Sequence, residues 1–334
     1  MSITVIDVAK EAGVSRTTVS NVFSEKGNYS TETRQAVLTA AKKLGYKPNL
    51  AARSLITHQS RLVGMILPSY VDTNTLTTSP FYNIIMDSVY SVLRNEAYYD
   101  LLIFSVPYRE TLAQVSEWID ARNVDGILAI GEYDQAFLED LNSKSIPVVL
   151  IDNYSREIFA NFSYVNSDDE AGGYLAARQL IARGFKKIAI CAVDLPGPLM
   201  QKRYEGYQRA MKEAGLKACA FDKTGAPFEA GLQFADLLAA QGFDAAFCTE
   251  DMAAVGILKG MLKKGVQVGQ EFGLVGFDNI HIGRQVYPEL TTIEQNIFEK
   301  GEKAAKTLLE ILNKKTPLGS RLILPVNLVA RETA

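Results

Sequence analysis

Histidine, cysteine and tryptophan are scarce in this chain of 334 residues, which has two, three and one of them. Cys191, Cys219 and Cys248 are too few and too scattered for a disulfide framework or a thiolate metal cage, and two histidines make a metal site still less expected. The sequence opens without an apolar signal segment, and its apolar runs are too short to span a membrane. These absences predict a cytoplasmic protein with no metal, no cofactor and no membrane partner.

The sequence motifs of common enzymes are missing as well. The chain has no Gly-x-x-x-x-Gly-Lys-Ser/Thr run for a phosphate and no Gly-x-Ser-x-Gly turn for a nucleophile. Neither histidine is plausibly paired with a base. We therefore expect a binding protein rather than an enzyme.

Negative charge is not evenly distributed along the chain. The net charge is −3, but residues 1–61 hold nine Lys and Arg against four acids, which gives +5 and leaves −8 for the remainder. A small basic segment joined to a large acidic one suggests that only the first meets nucleic-acid phosphates. The alternative is an ordinary solvated face of mixed charge.

Two short amphipathic helical patterns meet at Gly13. Apolar residues recur at helical spacing over Val5–Ala12, and Thr4 stands where it would cap that helix. Ser15 is placed to cap a second helix with an apolar inner face. Such a hairpin is usually only a piece of a core, but it is also what a helix-turn-helix needs to enter the major groove. The side chains that would face outward are Arg16, Thr17, Ser20 and Asn21.

A third helix is predicted between Ser30, which would cap it, and Gly45, which would end it. Its expected apolar face comprises Val37, Leu38, Ala41 and Leu44. The segment Tyr46–Leu55 follows. The order and the letters of these three segments resemble the DNA-binding headpiece and hinge of the lactose-repressor family of bacterial transcription regulators. The resemblance is close from Ile3 to about Leu67 and looser beyond.

The resemblance implies a set of DNA contacts. Arg16, Thr17 and Asn21 match the positions that contact base edges, where Arg pairs with guanine and Asn with adenine. Many family members have Arg at the position of Asn21, so the resemblance does not specify the preferred operator. The remaining DNA-binding candidates would contact phosphates or the hinge site, and several of their hydroxyls would also serve as helix caps: Thr4, Ser15, Ser20, Ser30, Thr33, Asn49, Ala52, Arg53 and Leu55.

The segment from Asn49 to Ile56 is the predicted hinge. It is too short to form a stable helix alone, because roughly twelve residues are needed in water. We expect it to become ordered against a partner hinge and DNA. In the family, a leucine at the position of Leu55 wedges open a base step in the minor groove, beside a small residue that matches Ala52. The alternative is a plain linker helix.

From Arg61 onward, apolar strands alternate with helices, which indicates parallel sheets covered on both faces. We predict an α/β body with two doubly wound lobes, and this body resembles a periplasmic sugar-binding protein. The expected crossovers lie near Asp152, at Asp278–Thr291 and at Lys314–Leu318. The predicted domains are a headpiece (1–48), a hinge (49–60) and an effector-binding and dimerisation domain (61–334). Its lobes would comprise about 61–152 with 291–316, and about 153–290 with 317–330.

In such sheets, ligands lie beyond the carboxyl ends of the strands, here between the lobes. By resemblance, Arg203 and Asp278 would bond ligand hydroxyls or ring atoms, and Phe81 and Tyr82 would pack on the ligand ring. Carboxylates, an arginine and aromatic rings suit a neutral polyhydroxyl molecule. Each polar residue could instead be a cap, a turn former or a surface ion pair. The weaker candidates for ligand contact are Tyr70, Asp152, Glu250 and Gln295.

The sequence thus predicts an allosteric DNA-binding regulator, and more specifically a repressor controlled by a sugar or sugar derivative. The sequence ends at Ala334 without a leucine-heptad tail, so we expect a homodimer on double-stranded operator DNA. Two alternatives stay open. One is a cytoplasmic sugar-binding protein without a DNA role, and the other is a regulator controlled by a protein co-repressor.

Overall fold

The computed structural model describes residues 3–24, 27–46, 60–69, 79–107, 112–154, 159, 161–193 and 197–334. The chain divides into two compact units, Met1–Leu62 with Asn123–Asp125, and Val63–Arg122 with Gly126–Ala334. Among the described residues, no helix is both long enough and apolar enough to cross a bilayer.

The first unit contains a bundle of three helices, α1 (Val5–Ala12), α2 (Arg16–Ser24) and α3 (Thr31–Leu44). Gly13 and Gly45 both adopt φ +66° after α1 and α3, a conformation that costs glycine little. The predicted turn and helix end are therefore confirmed. The small core comprises Val8, Ala9, Val19, Val22, Val37, Ala40 and Ala41.

The expected apolar face of α3 was wrong at one position. Leu38 is 40% exposed, whereas Ala40 is buried. The helix presents Val37, Ala40 and Ala41 to the other two helices, at the i, i+3, i+4 spacing of one face. Lys43 on this helix also donates to Glu11 on α1 at 2.5 Å.

The second unit contains two six-stranded sheets. The first has the order β11-β5-β4-β3-β1-β2. One core cluster of this sheet includes helices α4 and α11, which pack against each other. Its strands are β1 (Leu62–Ser69), β2 (Asp100–Pro107), β3 (Gly126–Ile130), β4 (Val148–Ile151), β5 (Phe162–Ser167) and β11 (Arg321–Leu324), and its helices are α4 (Pro80–Ala97), α5 (Leu112–Arg122), α6 (Gln135–Ser143) and α11 (Ile297–Leu312).

The second sheet has the order β12-β10-β9-β8-β6-β7, with β12 antiparallel to β10 and the other described pairs parallel. Helices α7 and α8 cover one face, and α9 and α10 cover the other. Its strands are β6 (Ile188–Val193), β7 (Ala220–Lys223), β8 (Ala245–Cys248), β9 (Gly273–Asp278), β10 (Thr291–Glu294) and β12 (Asn327–Val329), and its helices are α7 (Asp169–Ala182), α8 (Pro198–Glu213), α9 (Pro227–Ala240) and α10 (Asp251–Lys263), with a short 3-10 helix at His281–Arg284. The predicted class, two doubly wound α/β lobes behind a helical headpiece, is confirmed.

Two glycines let α7 and α8 approach closely. A Cβ on Gly173 would lie 1.9 Å from the carbonyl oxygen of Arg203, and one on Gly206 would lie 1.9 Å from that of Glu170. Only a hydrogen fits at these positions, so the two backbones are in contact. The close contact between the two helices fixes the position of the Arg203 backbone relative to α7.

The sheets correct the predicted crossovers and lobe ranges. β5 belongs to the first sheet rather than to the second lobe, β10 belongs to the second sheet, and β11 returns to the first. The chain therefore crosses after Ser167, between Glu294 and Ile297, and between Leu324 and Asn327, rather than near Asp152, at Asp278–Thr291 or at Lys314–Leu318. The local apolar pattern of a strand does not specify which sheet it joins.

The apolar residues of Leu322–Leu328 predict one last strand, and this prediction is wrong. Pro325 divides it into β11 and β12, which lie in different sheets. Proline has no N–H for a ladder hydrogen bond, so the strand ends there.

Candidate functional site

The outer surface of α2 carries the predicted DNA-reading side chains. Ser15, Arg16 and Thr17 are exposed, whereas Ser20 and Asn21 are partly buried. The Ser15 hydroxyl accepts the Thr18 backbone N–H at 3.0 Å, which confirms its predicted role as a cap. Capping fixes the start of α2 and leaves the Arg16 side chain in solvent.

The predicted phosphate-contacting hydroxyls stand at helix starts. Ser30 caps α3 by accepting the Thr33 backbone N–H at 3.1 Å. Thr4 occupies the cap position of α1, and both its backbone N–H and its hydroxyl donate to Asp7, at 2.9 and 2.7 Å. These two hydrogen bonds hold the pKa of Asp7 below its usual value. The predicted hinge contacts Asn49, Ala52, Arg53 and Leu55 lie outside the described residues, as does Tyr70.

In the second unit, charged side chains meet at the carboxyl ends of strands from both sheets. Asp152 follows β4 and is buried, and it accepts from the Lys300 ammonium on α11 at 2.6 Å. Lys300 is itself fully buried. Burial raises the pKa of Asp152, against the opposing effect of Lys300. Asp152 and Lys300 thus form a buried ion pair just after the end of β4.

Gln295 connects the two sheets at the second crossover. Its side-chain oxygen accepts from Lys300 and, at 3.1 Å, from the Ser167 hydroxyl at the end of β5. Its amide nitrogen donates to Asp278 at the end of β9. Through these hydrogen bonds, the buried Gln295 couples Asp278 on one sheet to the Asp152–Lys300 pair on the other.

Arg203 on α8 forms a second buried pair with Asp169, the first residue of α7. Its Nε donates to the Asp169 carboxylate at 2.8 Å, and another guanidinium N–H donates to the Thr249 carbonyl. The guanidinium lies 3.6 Å from the centre of the Phe277 ring. Burial opposes its charge, but Asp169 and Asp278 raise the pKa of Arg203 overall.

Glu250 and Asp278 stand at the ends of β8 and β9 and are both partly exposed. Burial raises the pKa of Glu250 to about 8, with Asp278 adding to the rise and Arg203 opposing it. Burial also raises the pKa of Asp278 to about 6, against Arg203, Gln295 and Lys300. The Asp278 carboxylate therefore opposes the ionisation of Glu250.

The predicted aromatic pair opens α4 after Pro80. The rings of Phe81 and Tyr82 meet edge to face at 5.3 Å, and both pack against the first sheet's core. The Lys300 ammonium lies 5.7 Å from the centre of the Phe81 ring. The structure thus connects Phe81, Asp152, Arg203, Glu250, Asp278 and Gln295 through one set of contacts and charges.

The sequence reasoning missed Lys300 and Asp169, although each balances a predicted residue. A signal existed for Lys300, since it lies on the same helical face as Ile297, Ala304 and Leu308, where a charge needs a partner. No comparable signal marked Asp169, because acids are common in the first turn of any helix.

This arrangement is rich in hydrogen-bonding groups. It offers carboxylate acceptors at the front, guanidinium and ammonium donors behind, and ring faces beside them. Among the described residues, no group of three or more His, Cys, Asp or Glu side chains is placed to hold a metal. Such a set suits recognition of a small molecule rich in hydrogen-bonding groups.

Known proteins resemble this chain along its whole length. Residues 4–49 match the model of "Bacterial regulatory proteins, lacI family", and residues 177–334 match that of a "Periplasmic binding protein-like domain". The HTH-type transcriptional repressor PurR of Pasteurella multocida is 34% identical over 99% of this chain and 98% of its own.

Two solved structures of regulators are similar as well. The lac repressor dimer bound to operator and the anti-inducer ONPF superposes with a TM-score of 0.85 at 25% identity, over 100% of this chain and 99% of that one. The CelR–cellobiose complex superposes with a TM-score of 0.75 at 26% identity, over 99% and 100%. The relatives are transcription regulators rather than enzymes. This chain therefore belongs to the lacI family of bacterial regulatory proteins.

Proposed function

We propose that this protein is a dimeric transcriptional repressor whose operator affinity is set by a small effector bound among Phe81, Asp152, Arg203, Asp278 and Gln295. The observation that carries the proposal is the buried network through Gln295, which joins both sheets at the ends of their strands. A ligand that competes for Asp278 would change how the two sheets are held together. Such differential contact is what an allosteric effector requires.

The DNA-binding part of the proposal rests on the headpiece. The exposed Arg16 and Thr17 stand on a capped helix after a glycine turn, as base-contacting residues do in a helix-turn-helix. Ser20 and Asn21 would extend this surface, and Thr4, Ser15, Ser30 and Thr33 would contact phosphates. The net charge of +5 in residues 1–61 supports contact with phosphates.

The proposed organisation assigns residues 1–48 to operator contact, 49–60 to a hinge and 61–334 to effector binding and dimerisation. Asn49, Ala52, Arg53 and Leu55 would contact DNA from the hinge, with Leu55 as the minor-groove wedge. Effector binding would alter the separation of two hinges in a dimer and so their ordering on DNA. Tyr70 would lie beside the effector.

An apolar surface between α10 and the segment before β10 supports the dimer. Leu262 is 43% exposed and Tyr287 is 82% exposed, beside Val255, Leu258 and Val286 in the same depression. Large exposed apolar side chains that cluster in this way are typical of an interaction surface. A second copy of the chain would cover it.

A sugar or sugar derivative is the effector class that the site favours. Carboxylates and an amide pair with hydroxyl groups, while Phe81 and Tyr82 offer ring faces for the apolar side of a pyranose. The relative complex of CelR with cellobiose supports this class. We propose that effector binding lowers the affinity for DNA, so the effector acts as an inducer rather than as a co-repressor.

Operator selection from random duplex DNA, followed by fluorescence anisotropy, tests the proposal. Arg16→Ala should cost about 1–3 kcal/mol on the selected operator and relax specificity at one base pair. Lys42→Ala, which removes an exposed charge from α3, is the matched control and should change affinity without changing sequence preference. Asp278→Ala should lose the response to sugars that release the unsubstituted protein. No preference for any duplex would refute the proposed operator binding. An unchanged sugar response in Asp278→Ala would refute the proposed effector site.

A further inference from the structure

The charges around the effector site form two layers of different composition. The back layer consists of two buried pairs, Asp152 with Lys300 at 2.6 Å and Asp169 with Arg203 at 2.8 Å. Each pair contains one positive and one negative group, so this layer is neutral. Buried charges are tolerated when they are paired in this way.

The front layer consists of Glu250 and Asp278, which are partly exposed at the ends of neighbouring parallel strands. Asp278 accepts a hydrogen bond from the neutral amide of Gln295. The carboxylate of Glu250 accepts no hydrogen bond from any described residue, and it does not cap α10. Arg203 and Lys300 favour the ionised form of Asp278, and Arg203 that of Glu250, but the direct ion pairs of these cations are with Asp169 and Asp152. Within the described part of the chain, neither Glu250 nor Asp278 has a direct ion pair.

A third observation concerns Thr249, which precedes Glu250 in sequence. Thr249 is fully buried, and its hydroxyl has no hydrogen-bond partner within the described part of the chain. A buried hydroxyl without a partner is energetically unfavourable, so such groups are usually satisfied by water or a ligand. The same residue's carbonyl accepts from Arg203, which places it at the boundary between the two layers.

The chemistry of the front layer restricts what binds there. Burial raises the pKa of Glu250 and the Asp278 carboxylate raises it further, so an anionic ligand would add negative charge where ionisation is already disfavoured. The described residues do not gather a third metal-binding side chain, so an organic cation is the better match than a metal ion. Hydroxyl groups on the same molecule would pair with Asp278, Gln295 and Thr249.

We propose that the effector is a polyhydroxyl molecule that bears an ammonium group, such as an amino sugar or a close analogue. This inference rests on the effector site of the proposed function. The ammonium pairs with Glu250 and Asp278, and the ring hydroxyls contact the neutral layer behind them. A charge-assisted hydrogen bond to a desolvated carboxylate contributes about 1.5–3 kcal/mol, which corresponds to roughly 10- to 100-fold in affinity. Sugar phosphates are excluded by the same charges.

The test uses the full-length protein and matched sugars. Glucose, galactose and mannose are each offered as the neutral sugar, the 2-amino sugar and the 6-phosphate, and affinity is measured by calorimetry at pH 7 and by release of a selected operator. The amino form of at least one ring should bind about tenfold or more tightly than its neutral form. Its binding should also release protons from the site, seen as a dependence of heat on buffer, because the ammonium displaces the proton of Glu250.

Two isosteric variants assign the preference to the front layer. Glu250→Gln and Asp278→Asn should each reduce the amino-over-neutral ratio by about tenfold, while Glu229→Gln, at an exposed position on α9, should leave the ratio unchanged. Circular dichroism and urea unfolding show whether each variant is folded. Were Glu250→Gln unfolded, Asp278→Asn and the proton release would decide the question.

The outcomes separate this inference from the function on which it rests. Preferential binding of a neutral or phosphorylated sugar, or an amino preference that survives both variants, overturns the amine assignment and leaves a sugar-controlled repressor. Binding of none of the nine sugars by protein that still binds its operator overturns both statements about the effector. Failure to bind any duplex overturns the repressor itself.

Discussion

Replacing Lys300 by methionine should strongly destabilise the body of the protein. Lys300 is fully buried and donates to Asp152 at 2.6 Å and to Gln295. Methionine keeps most of the length of the side chain but removes the ammonium, so the main change is a buried carboxylate without its cation. Removing one partner of a buried pair costs about 3–5 kcal/mol.

The size of this loss should depend on pH. Lys300 lowers the pKa of Asp152, which burial already raises, so the variant should have a still higher pKa there. An acid with a raised pKa in the folded state contributes stability below its unfolded value, near 4, and that contribution is lost as pH rises towards the folded value. Because Asp152 already has a raised pKa in the unsubstituted protein, the deficit of Lys300→Met should be smallest below that folded-state pKa and should grow by up to about 1.4 kcal/mol per pH unit between it and the higher pKa of the variant.

Urea unfolding followed by circular dichroism between pH 5 and pH 8 measures both effects. Lys303→Met is the matched control, since Lys303 is 47% exposed on the same helix and lies 4.0 Å from Glu299, and it should change stability by less than about 0.5 kcal/mol. Adding Asp152→Asn to Lys300→Met should recover part of the loss. A deficit below about 1 kcal/mol, or one that stays constant with pH, would refute the reasoning.

Three further predictions concern the contact between α7 and α8, the residues just before β1, and Glu250. Gly173→Ala should cost about 1–3 kcal/mol in urea unfolding, because its methyl carbon would lie 1.9 Å from a carbonyl oxygen of α8; an unchanged midpoint would contradict this. The Asp125 carboxylate accepts the backbone N–H of Ser60 at 2.7 Å and of Arg61 at 3.0 Å, so Asp125→Ala should speed hydrogen exchange at both amides, and equal rates would show that they are held otherwise. Glu250→Gln should become more stable relative to the unsubstituted protein as pH rises from 5 to 9, since the pKa of Glu250 is raised to about 8 and its ionisation is disfavoured in the fold; the opposite slope would show a compensating cation.

Local patterns in the sequence predicted the elements well where burial and caps agree. The alternation of strands with helices predicted after Arg61 is present in both sheets, because continuous apolar runs mark buried strands and a 3.6-residue period marks helices. In the headpiece, Ser15 and Ser30 were predicted as caps from residue type and position alone, and both accept the expected backbone N–H. These features depend on neighbours within a few residues in sequence.

The sheet to which each strand belongs depended on partners far away in sequence. β5 pairs with β4 on one side and with β11, more than 150 residues later, on the other. Nothing in the six letters of β5 specifies those partners, so the predicted lobe ranges were wrong there. The predicted crossovers were wrong for the same reason, because they depend on the sheet to which each strand belongs.

The polar site was predicted in outline from strand ends, but its counter-charges were not. The carboxyl ends of parallel strands meet at one edge, which brought Asp152, Glu250 and Asp278 into consideration. Their balancing cation Lys300 comes from the middle of an amphipathic helix, where its charge was overlooked. A charged residue on the apolar face of a helix therefore predicts a buried partner of opposite charge.

The two layers of charge have unequal freedom to change during evolution. Substituting a member of the neutral back layer would cost folding free energy, because its partner would be left buried and alone. Glu250 has no such partner, so a relative could exchange it for an amide or a smaller acid and acquire a different metabolite signal while keeping the same scaffold. New regulatory inputs in this lineage should therefore arise first at the end of β8.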